Sequence, residues 1–466
     1  MNLKIKNKIS YFYFITYFIM LITLEIINPI NSLDELFCFK DVMMMKNGFE
    51  FYKDINILFP FLSYIIIYPF VVFIDNIISI RIFSMVLSML SFLFIHKIAK
   101  TKGVNENLCF LFNIVYISLG YFIYVFSEYN GLCFLFSLIA LYILIKGRFG
   151  YKEAAQIAVL CSFIVLTKHT MGFVFFVCFA IIILVNYYEK TRQFLYKVLL
   201  MFGIGIFFVS SFILYLVFNG NLEYFIDLTM KSSFINNAGY ETFIVICLVF
   251  VAIVLCFLFV KNKLKFNKEI VTLLMYSLSL LLFLFPIVDK VHSVYFLLFL
   301  PILLGCFKFK ARNSFLMCVD FCVIMFFSIV SFLIETDEEI KRFNNVGSYS
   351  YMNISCESKD EIIYYNDLSK KYDNVYYIGA DSCYYYCAYN DYHGYYAILW
   401  NGNTGSTAPI DYIKVLEKEE NYVLISRKSN VVCGQWDNSI EEYIKNNYEF
   451  IESNNNLDLY KTRAPR

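Results

Sequence analysis

Long apolar runs separated by short polar segments dominate the first 334 residues. Several of these runs approach the roughly 20 residues that a helix needs to cross a bilayer. About a dozen candidates are present: Ile9–Ile30, Leu58–Ile74, Ile80–Ile98, Leu108–Phe126, Leu132–Ile145, Ala154–Leu166, Gly172–Val185, Val198–Phe218, Phe243–Val260, Ile270–Val288, Val294–Phe307 and Phe315–Ile334. The pattern predicts a polytopic α-helical membrane protein.

The basic residues indicate which of these runs cross the membrane. If all of them crossed, the loop Lys97–Lys102 would lie outside, although short basic loops usually stay in the cytoplasm. Leu58–Ile74 contains Pro60 and Pro69, which interrupt a helix, so we expect it to lie at the surface or to re-enter. All short basic loops then share one side: Lys4–Lys8, Lys97–Lys102, Lys146–Lys152, Lys190–Lys197, Lys261–Lys268 and Lys308–Arg312. The sequence thus predicts about eleven transmembrane helices, a cytoplasmic N-terminus and an outer C-terminus.

The overall composition agrees with this prediction. The chain of 466 residues is 59% hydrophobic and 17% charged, with a formal net charge of +1. No basic stripe typical of a nucleic-acid-binding protein is present. The first apolar run is too long for a signal peptide and lacks a small-residue cleavage site, so we expect a retained anchor. The abundance of Lys, Asn, Ile and Tyr favours a bacterial source, and we expect a multi-pass protein of the bacterial cytoplasmic membrane.

The region from residue 335 to residue 466 has a different pattern. Helix signals alternate with short strand signals, which predicts a small extracytoplasmic α/β domain after a membrane domain of residues 1–334. The predicted elements are helices at Lys359–Lys371, Pro409–Glu417 and Ser439–Asn447, strands at Asn374–Ile378 and Tyr422–Ser426, and two strands within Tyr448–Tyr460. Four cysteines lie in this tail: Cys356, Cys383, Cys387 and Cys433. They are compatible with one or two disulfides on the outer side, and equally with free buried thiols.

Two acidic residues follow the first apolar run directly. Asp34 and Glu35 begin the predicted outer loop of residues 31–79, close to the hydrocarbon boundary. A carboxylate that is poorly solvated there is a stronger base than one in open water. Position alone is equally compatible with two solvated loop acids.

An ordered series of motifs surrounds this acidic pair. Asp34 and Glu35 are followed by a Gly48…Tyr52-x-Asp54 stretch, the proline-bearing half-span, and a helix that opens with Arg81-Ile-Phe-Ser84. Later motifs are Ser127-Glu128-Tyr129-Asn130-Gly131, Leu166-Thr167-Lys168-x-x-x-Gly172 and His292-Ser293-Val294-Tyr295. The series resembles the GT-C glycosyltransferases, in the bacterial branch similar to protein mannosyltransferases and to the lipid A aminoarabinose transferase, over roughly residues 1–310. Asn130-Gly131 and Val294 depart from the arginines that this family often has there.

The resemblance implies an inverting transfer of a sugar from a polyprenyl-phosphate-linked donor to a cell-envelope acceptor on the outer face. Asp34 would be the general base, and Glu35 would orient it or the acceptor. Several polar residues at the outer boundary would bind the donor phosphate or the substrate: Lys53, Asp54, Arg81, Glu128, Lys168, His292 and Tyr295. Snorkelling at the interface is the alternative for most of these cations. Lys168 lies between two short spans, where ionisable groups are usually functional.

No cofactor is predicted. The Asp-x-Asp motif of nucleotide-sugar enzymes is absent, which fits a lipid-linked donor and leaves the need for a divalent metal open. The four scattered histidines do not form a histidine-rich metal site. The expected partners are the polyprenyl-phosphate-linked sugar, the bilayer, and a glycolipid, cell-wall polymer or protein as the acceptor.

Two other functions remain open. A transporter or lipid flippase with a partner-binding tail would show internal repeats and broken helices near the midplane, and the sequence has no repeat. A glycan polymerase or ligase would need its charged residues in a large late outer loop, whereas here the first loop is the charged one.

Overall fold

The computed structural model describes the chain in part. The described ranges are residues 33–55, 57–103, 129–231, 268–281, 343–344, 352–353, 356–378, 382–389, 421–427 and 439–463, with residues 15, 18, 19, 22, 295, 296, 298, 299, 302, 413, 414, 416 and 417. Five predicted spans fall wholly or mainly outside these ranges: Ile9–Ile30, Leu108–Phe126, Phe243–Val260, Val294–Phe307 and Phe315–Ile334.

The chain forms two compact units. The first comprises Met1–Glu25, Phe83–Phe212 and Asn237–Ile340. The second comprises Ile26–Ile82, Ile213–Asn236 and Lys341–Arg466. The boundary predicted between residues 334 and 335 stays a prediction, because most residues around it lie outside the described ranges.

Most described helices of residues 33–281 follow the apolar runs closely, and two helices, at Leu33–Lys46 and Leu222–Ile226, lie outside those runs. The described helices are α1 (Leu33–Lys46), α2 (Leu62–Ile74), α3 (Ile78–Thr101), α4 (Tyr129–Ile145), α5 (Tyr151–Thr167), α6 (His169–Tyr187), α7 (Arg192–Phe218), α8 (Leu222–Ile226, continued by a π-helical turn at Asp227–Lys231) and α9 (Lys268–Leu281). By length and composition, α3, α6 and α7 are able to cross a membrane. The chain is therefore a helical membrane protein; the count of eleven spans stays a prediction.

Four helices of the first unit form a series in which each packs on the next. Helix α4 packs on α5, α5 on α6, and α6 on α9. Side-chain hydrogen bonds join these apolar helices: Ser137 bonds Tyr276 at 2.8 Å, and the Asn186 amide donates to the Thr272 hydroxyl at 2.7 Å. Polar bonds between helices are a usual means of association within a membrane, where water does not compete for them.

The second unit begins with α1 and α2, which pack on each other. No helix is predicted at Leu33–Lys46 from the sequence, because its polar residues read as a loop. At 13 residues, α2 spans about 20 Å, which is shorter than the roughly 30 Å of bilayer hydrocarbon. That length agrees with the prediction that Leu58–Ile74 does not cross; its placement in a membrane stays a prediction.

The tail contains a four-stranded sheet with helices. Its elements are a short hairpin of β1 (Phe343–Asn344) and β2 (Met352–Asn353), then α10 (Cys356–Lys371), β3 (Val375–Ile378), α11 (Ser382–Tyr389), β4 (Tyr422–Ser426), α12 (Ser439–Asn447), β5 (Tyr448–Asn454) and β6 (Leu457–Thr462). The sheet order is β3-β4-β6-β5, and only β3 and β4 are parallel among these neighbours. The predicted tail elements are present where the structure describes them. Only Ile413, Lys414, Leu416 and Glu417 of the predicted helix Pro409–Glu417 are described, and α11 has no counterpart in the prediction.

Candidate functional site

The acidic pair lies on a helix rather than in a loop. Asp34 and Glu35 occupy the first turn of α1, where negative charge is favoured by the helix dipole. Their backbone is helical, and their side chains lie outside the described part of the structure. The position of α1 therefore decides where the predicted base is held.

A buried polar network fixes α1 against α2. The Lys40 ammonium lies 2.9 Å from an Asp41 carboxylate oxygen, and their side chains are 4% and 2% exposed. The Tyr64 hydroxyl of α2 donates to the other Asp41 oxygen at 2.9 Å. Burial raises the pKa of Asp41, and the charge of Lys40 and the Tyr64 hydrogen bond oppose that rise. Asp41 lies seven residues after Asp34, about two turns along the same helix face.

The tail contacts α1 from another side. Helix α11 packs on α1, and the Cys387 thiol lies 3.5 Å from the Leu36 carbonyl oxygen, one residue after Glu35. Cys387 is buried and is not part of a disulfide. The side chains of Cys356, Cys383 and Cys433 lie outside the described part of the structure, so disulfides among them stay a prediction.

Lys53 and Asp54 lie in a turn that follows α1. The Asp54 carboxylate accepts a hydrogen bond from the Glu50 amide at 2.9 Å, and Lys53 forms a half-exposed pair with Glu50 at 3.5 Å. Tyr52 is buried with φ +69°, an uncommon backbone conformation for a bulky residue. The Gly48…Tyr52-x-Asp54 motif thus has a structural role here, and substrate binding by Lys53 and Asp54 stays a prediction.

The remaining predicted site residues have varied surroundings. Arg81 lies near the start of α3 and is 2% exposed, and Tyr295 is completely buried. The Tyr295 ring packs on Phe134 at 5.1 Å between centroids, which is a core contact. Glu128 and His292 lie outside the described residues.

Lys168 is the single residue between α5 and α6. Its backbone is extended (φ −150°, ψ 102°) and belongs to neither helix. Its amide donates to the Ile164 carbonyl at 2.8 Å, and its carbonyl accepts from the Gly172 amide at 2.9 Å. One residue therefore caps both helices and reverses the chain.

The Lys168 side chain is oriented by the first turn of α4. Its ammonium donates to the Asn130 side-chain oxygen at 3.0 Å and lies 4.9 Å from the centre of the Tyr129 ring. Both groups are uncharged, and these contacts orient the ammonium. Asn130, which replaces an arginine expected from the family motif, is therefore a neighbour of Lys168 that the sequence did not reveal.

Two polar atoms flank Lys168. Among the described residues, the buried Thr167 hydroxyl and the His169 Nδ1 atom have no hydrogen-bond partner. The N-terminus of α6 begins at the same point, and free amides at a helix N-terminus favour an anion. The arrangement is suited to a phosphate or another anionic group.

Gly172, the last residue of the Lys168 motif, lies where α5 and α6 pack closely. A Cβ atom at this position would lie 2.5 Å from the Val165 Cα atom of α5. Only glycine allows α5 and α6 to approach so closely just after the turn. In the described part of the chain, no group of three or more His, Cys, Asp or Glu side chains is arranged to hold a metal ion.

Sequence comparisons give no match. No protein-family model matches the chain, and no curated protein matches it either.

Solved structures do match. ArnT from Cupriavidus metallidurans bound to undecaprenyl phosphate aligns with a TM-score of 0.58 and 8% identity, over 100% of this chain and 99% of that chain. The apo state of the same protein gives a TM-score of 0.57 and 9% identity, over 96% of each chain. The Archaeoglobus fulgidus oligosaccharyltransferase in complex with Zn and sulfate gives a TM-score of 0.49 and 10% identity, over 97% of this chain and 73% of that chain. Because the alignment with ArnT extends over almost the whole of both chains, this membrane protein shares the fold of the GT-C glycosyltransferases, as its ordered motifs predict.

Proposed function

We propose that this protein is an inverting glycosyltransferase that moves a sugar from a polyprenyl-phosphate-linked donor to a cell-envelope acceptor on the outer face of the membrane. The observation that carries this proposal is the end-to-end likeness in fold to ArnT, which was crystallised with undecaprenyl phosphate. The acidic pair on α1 and the Lys168 turn supply the residue types that such a reaction needs.

The proposed reaction is a single displacement. The acceptor hydroxyl gives its proton to the Asp34 carboxylate as its oxygen attacks the anomeric carbon. The bond from that carbon to the phosphate oxygen breaks, and polyprenyl phosphate leaves with the electron pair. A positioned general base typically accelerates such a step about 10²–10⁴-fold. Attack from the face opposite the leaving group inverts the anomeric carbon.

The leaving phosphate gains negative charge during this step. A cation held in position stabilises that charge, and it does so without a proton donor. Lys168 is our candidate because Asn130 and Tyr129 hold its ammonium in place. The hydroxyl of Thr167 and the amides at the start of α6 would add further donors to a phosphate.

The first test concerns the base. Purified protein in lipid nanodiscs would be given a panel of undecaprenyl-phosphate hexoses, pentoses and amino sugars with an envelope-lipid extract as the acceptor. Asp34→Asn preserves size and removes the base, so turnover should fall at least about 100-fold, and Glu35→Gln should lose less.

Asp75→Asn is the matched control for this substitution. Asp75 is an exposed carboxylate paired with Lys46 at 2.8 Å, and its φ of 51° suits asparagine. Near-wild-type turnover of Asp34→Asn would show that Asp34 is not the base. Absence of transfer from every donor by the wild-type protein would reject the function itself.

The second test concerns the phosphate. Charge-assisted hydrogen bonds contribute about 1.5–3 kcal/mol, and about 1.4 kcal/mol is tenfold in affinity. Lys168→Ala should therefore weaken binding of a labelled undecaprenyl-phosphate sugar about tenfold or more, whereas Lys168→Arg should be partly tolerated because a cation remains.

Lys197 provides the control. Its ammonium also bonds an uncharged group, the Phe149 carbonyl oxygen at 2.6 Å, and lies 5.6 Å from the Phe149 ring centre. Lys197→Ala should leave donor affinity unchanged. Equal affinity of Lys168→Ala and the wild type would mean that Lys168 does not bind the donor.

A further inference from the structure

Helix α7 is separated from the α5–α6 hairpin by an apolar gap. The gap encloses about 570 Å³ and is lined by side chains of α5, α6 and α7. Ser162 and Ser210 supply the only hydroxyl groups among the lining residues. The Ser162 hydroxyl is already bonded to the Ala158 carbonyl oxygen at 2.8 Å. The lining is therefore suited to a hydrocarbon ligand.

The gap runs along much of α7. Its lining on α7 runs from Phe194 to Ser210, which at 1.5 Å per residue is about 24 Å. This length is most of the roughly 30 Å of hydrocarbon in a bilayer. A single track of this length, between one helix and a hairpin, suits one extended chain better than the paired chains of a phospholipid.

Aromatic contacts between the helices explain why the gap persists. Ring pairs connect α7 to its neighbours at Phe163–Phe208 and Phe176–Phe202, with centroid separations of 5.5 and 5.8 Å. Small residues line the space around these pairs, among them Ala158, Ala180 and Gly205. A Cβ atom added at Gly205 would meet no atom within 4 Å.

The outer part of the gap leads toward the Lys168 turn. Val165 lines the gap and precedes Lys168 by three residues, about 4.5 Å along α5. The Lys168 ammonium and the amides at the N-terminus of α6 lie at this end. At the opposite end Phe194 lines the gap, and the nearby Lys197 ammonium donates to the Phe149 carbonyl oxygen.

We propose that this gap binds the isoprenoid chain of a polyprenyl phosphate, with the phosphate at Lys168. The assignment rests on the proposed function for the identity of the lipid, and it adds the place of the lipid chain. An apolar track that leads to a cation complements a molecule with one long hydrocarbon chain and one phosphate.

The test uses two glycines of α7. Gly203 and Gly205 both have open space where a Cβ atom would be added, but only Gly205 lines the gap. Gly205→Phe would fill the gap, and Gly203→Phe is its matched control. Binding of undecaprenyl phosphate and of geranyl phosphate to the full-length protein in nanodiscs would be measured, with thermal unfolding as the check on folding.

We expect Gly205→Phe to weaken binding of undecaprenyl phosphate at least tenfold and to weaken binding of geranyl phosphate less, because the short chain occupies only the part of the gap nearest Lys168. Gly203→Phe should change neither. If Gly205→Phe fails to fold, Ala180→Leu on the α6 wall is the second variant, with the same expected dependence on chain length.

Three results would overturn the assignment. They are equal weakening of the long and short lipids, no weakening of either, and displacement by Gly205→Phe of bound phosphatidylglycerol instead of undecaprenyl phosphate. These binding measurements need no turnover. If Gly205→Phe weakens the long lipid more than the short one but the wild-type protein transfers no sugar, the proposed function is rejected and the lipid site is kept. If the wild-type protein transfers sugar but Gly205→Phe does not weaken the long lipid more than the short one, the lipid site is rejected and the proposed function is kept.

Discussion

Helices α1 and α7 reverse the usual relation between polarity and burial. Helix α1 carries charged residues in most of its turns, yet side chains from Leu36 to Met44 are buried, apart from the half-buried Phe37. Helix α7 is almost wholly apolar after its first turn, yet Phe207 is 66% and Ile206 63% exposed. In water this pattern would be unfavourable for both helices.

The two helices differ in what surrounds them. A helix that is apolar on all sides and exposed is stable where lipid is the solvent. A polar helix that is enclosed by protein is stable only if each buried polar group has a partner, because an unpaired buried charge is costly. Specific partners thus determine the position of α1, whereas α7 depends mainly on its solvent.

The largest loss of stability is expected from breaking the buried ion pair of α1. Lys40→Met keeps the length of the side chain and leaves the Asp41 carboxylate buried without its cation. Removing one partner of a buried pair typically costs about 3–5 kcal/mol, which unfolding of the purified protein at pH 8 would measure. Lys46→Met is the control, because Lys46 and Asp75 form an exposed pair of about 0–1 kcal/mol.

This loss should depend on pH. Burial already raises the pKa of Asp41, and removal of Lys40 raises it further. Since the folded state then holds the proton more tightly than the unfolded state, stability falls as pH rises through that raised pKa. The deficit of Lys40→Met should shrink as pH is lowered below it. A deficit that is constant with pH would show that Asp41 does not carry the effect.

The next largest loss of stability is expected from removing the hydrogen bond between α1 and α2. Tyr64→Phe removes the hydroxyl that donates to Asp41, and a hydrogen bond to a charged group contributes about 1.5–3 kcal/mol. We expect that loss in the free energy of unfolding, together with faster hydrogen exchange of α1 amides. Tyr68→Phe, one turn later on α2, is the control, and equal losses from both substitutions would contradict a special role of Asp41.

A third substitution tests how closely α5 and α6 need to pack. Gly172→Ala forces a methyl group to within 2.5 Å of the Val165 Cα atom, and overpacking costs about 1–3 kcal/mol. Gly203→Ala on α7 meets open space and should be neutral or slightly stabilising. Thermal unfolding in one detergent would compare them, and a neutral Gly172→Ala would mean that α5 and α6 do not need their close contact.

The smallest effect belongs to the lipid-exposed face of α7. Phe207→Leu should change the free energy of unfolding by no more than about 0.5 kcal/mol, as exposed substitutions usually do. Phe39→Leu is the same change at a fully buried position of α1 and should cost more than about 1 kcal/mol. Similar losses at both sites would show that protein encloses Phe207 too.

Much of the membrane fold was predictable because its signal is local. The runs Leu132–Ile145, Ala154–Leu166 and Gly172–Val185 became α4, α5 and α6 with two or three residues added at most ends. The five residues that separate the last two of these runs shortened to Lys168 alone as a connection, because both helices continue as far as their caps allow. In the tail, the predicted bounds of β4 and α12 agree with the structure at both ends of each element.

Helices α1 and α11 could not be predicted in the same way. Helix α1 has polar residues at positions that face other parts of the protein, so its pattern resembles a solvated loop. Helix α11 is short and rich in tyrosine, a residue that favours strands. Contacts from elsewhere in the chain stabilise both helices, and the contact between Cys387 and Leu36 joins residues 351 positions apart.

The sequence alone was enough to predict the membrane class, the limits of several apolar helices, most described tail elements and, through its ordered motifs, the fold. These features depend on transfer of side chains from water and on local periodicity, which each stretch of residues carries independently. Three arrangements emerge only from the three-dimensional structure: Asn130 orients Lys168, Asp41 links α1 to Tyr64, and a gap remains beside α7. Those arrangements depend on which distant side chains meet, and no local pattern encodes such a meeting.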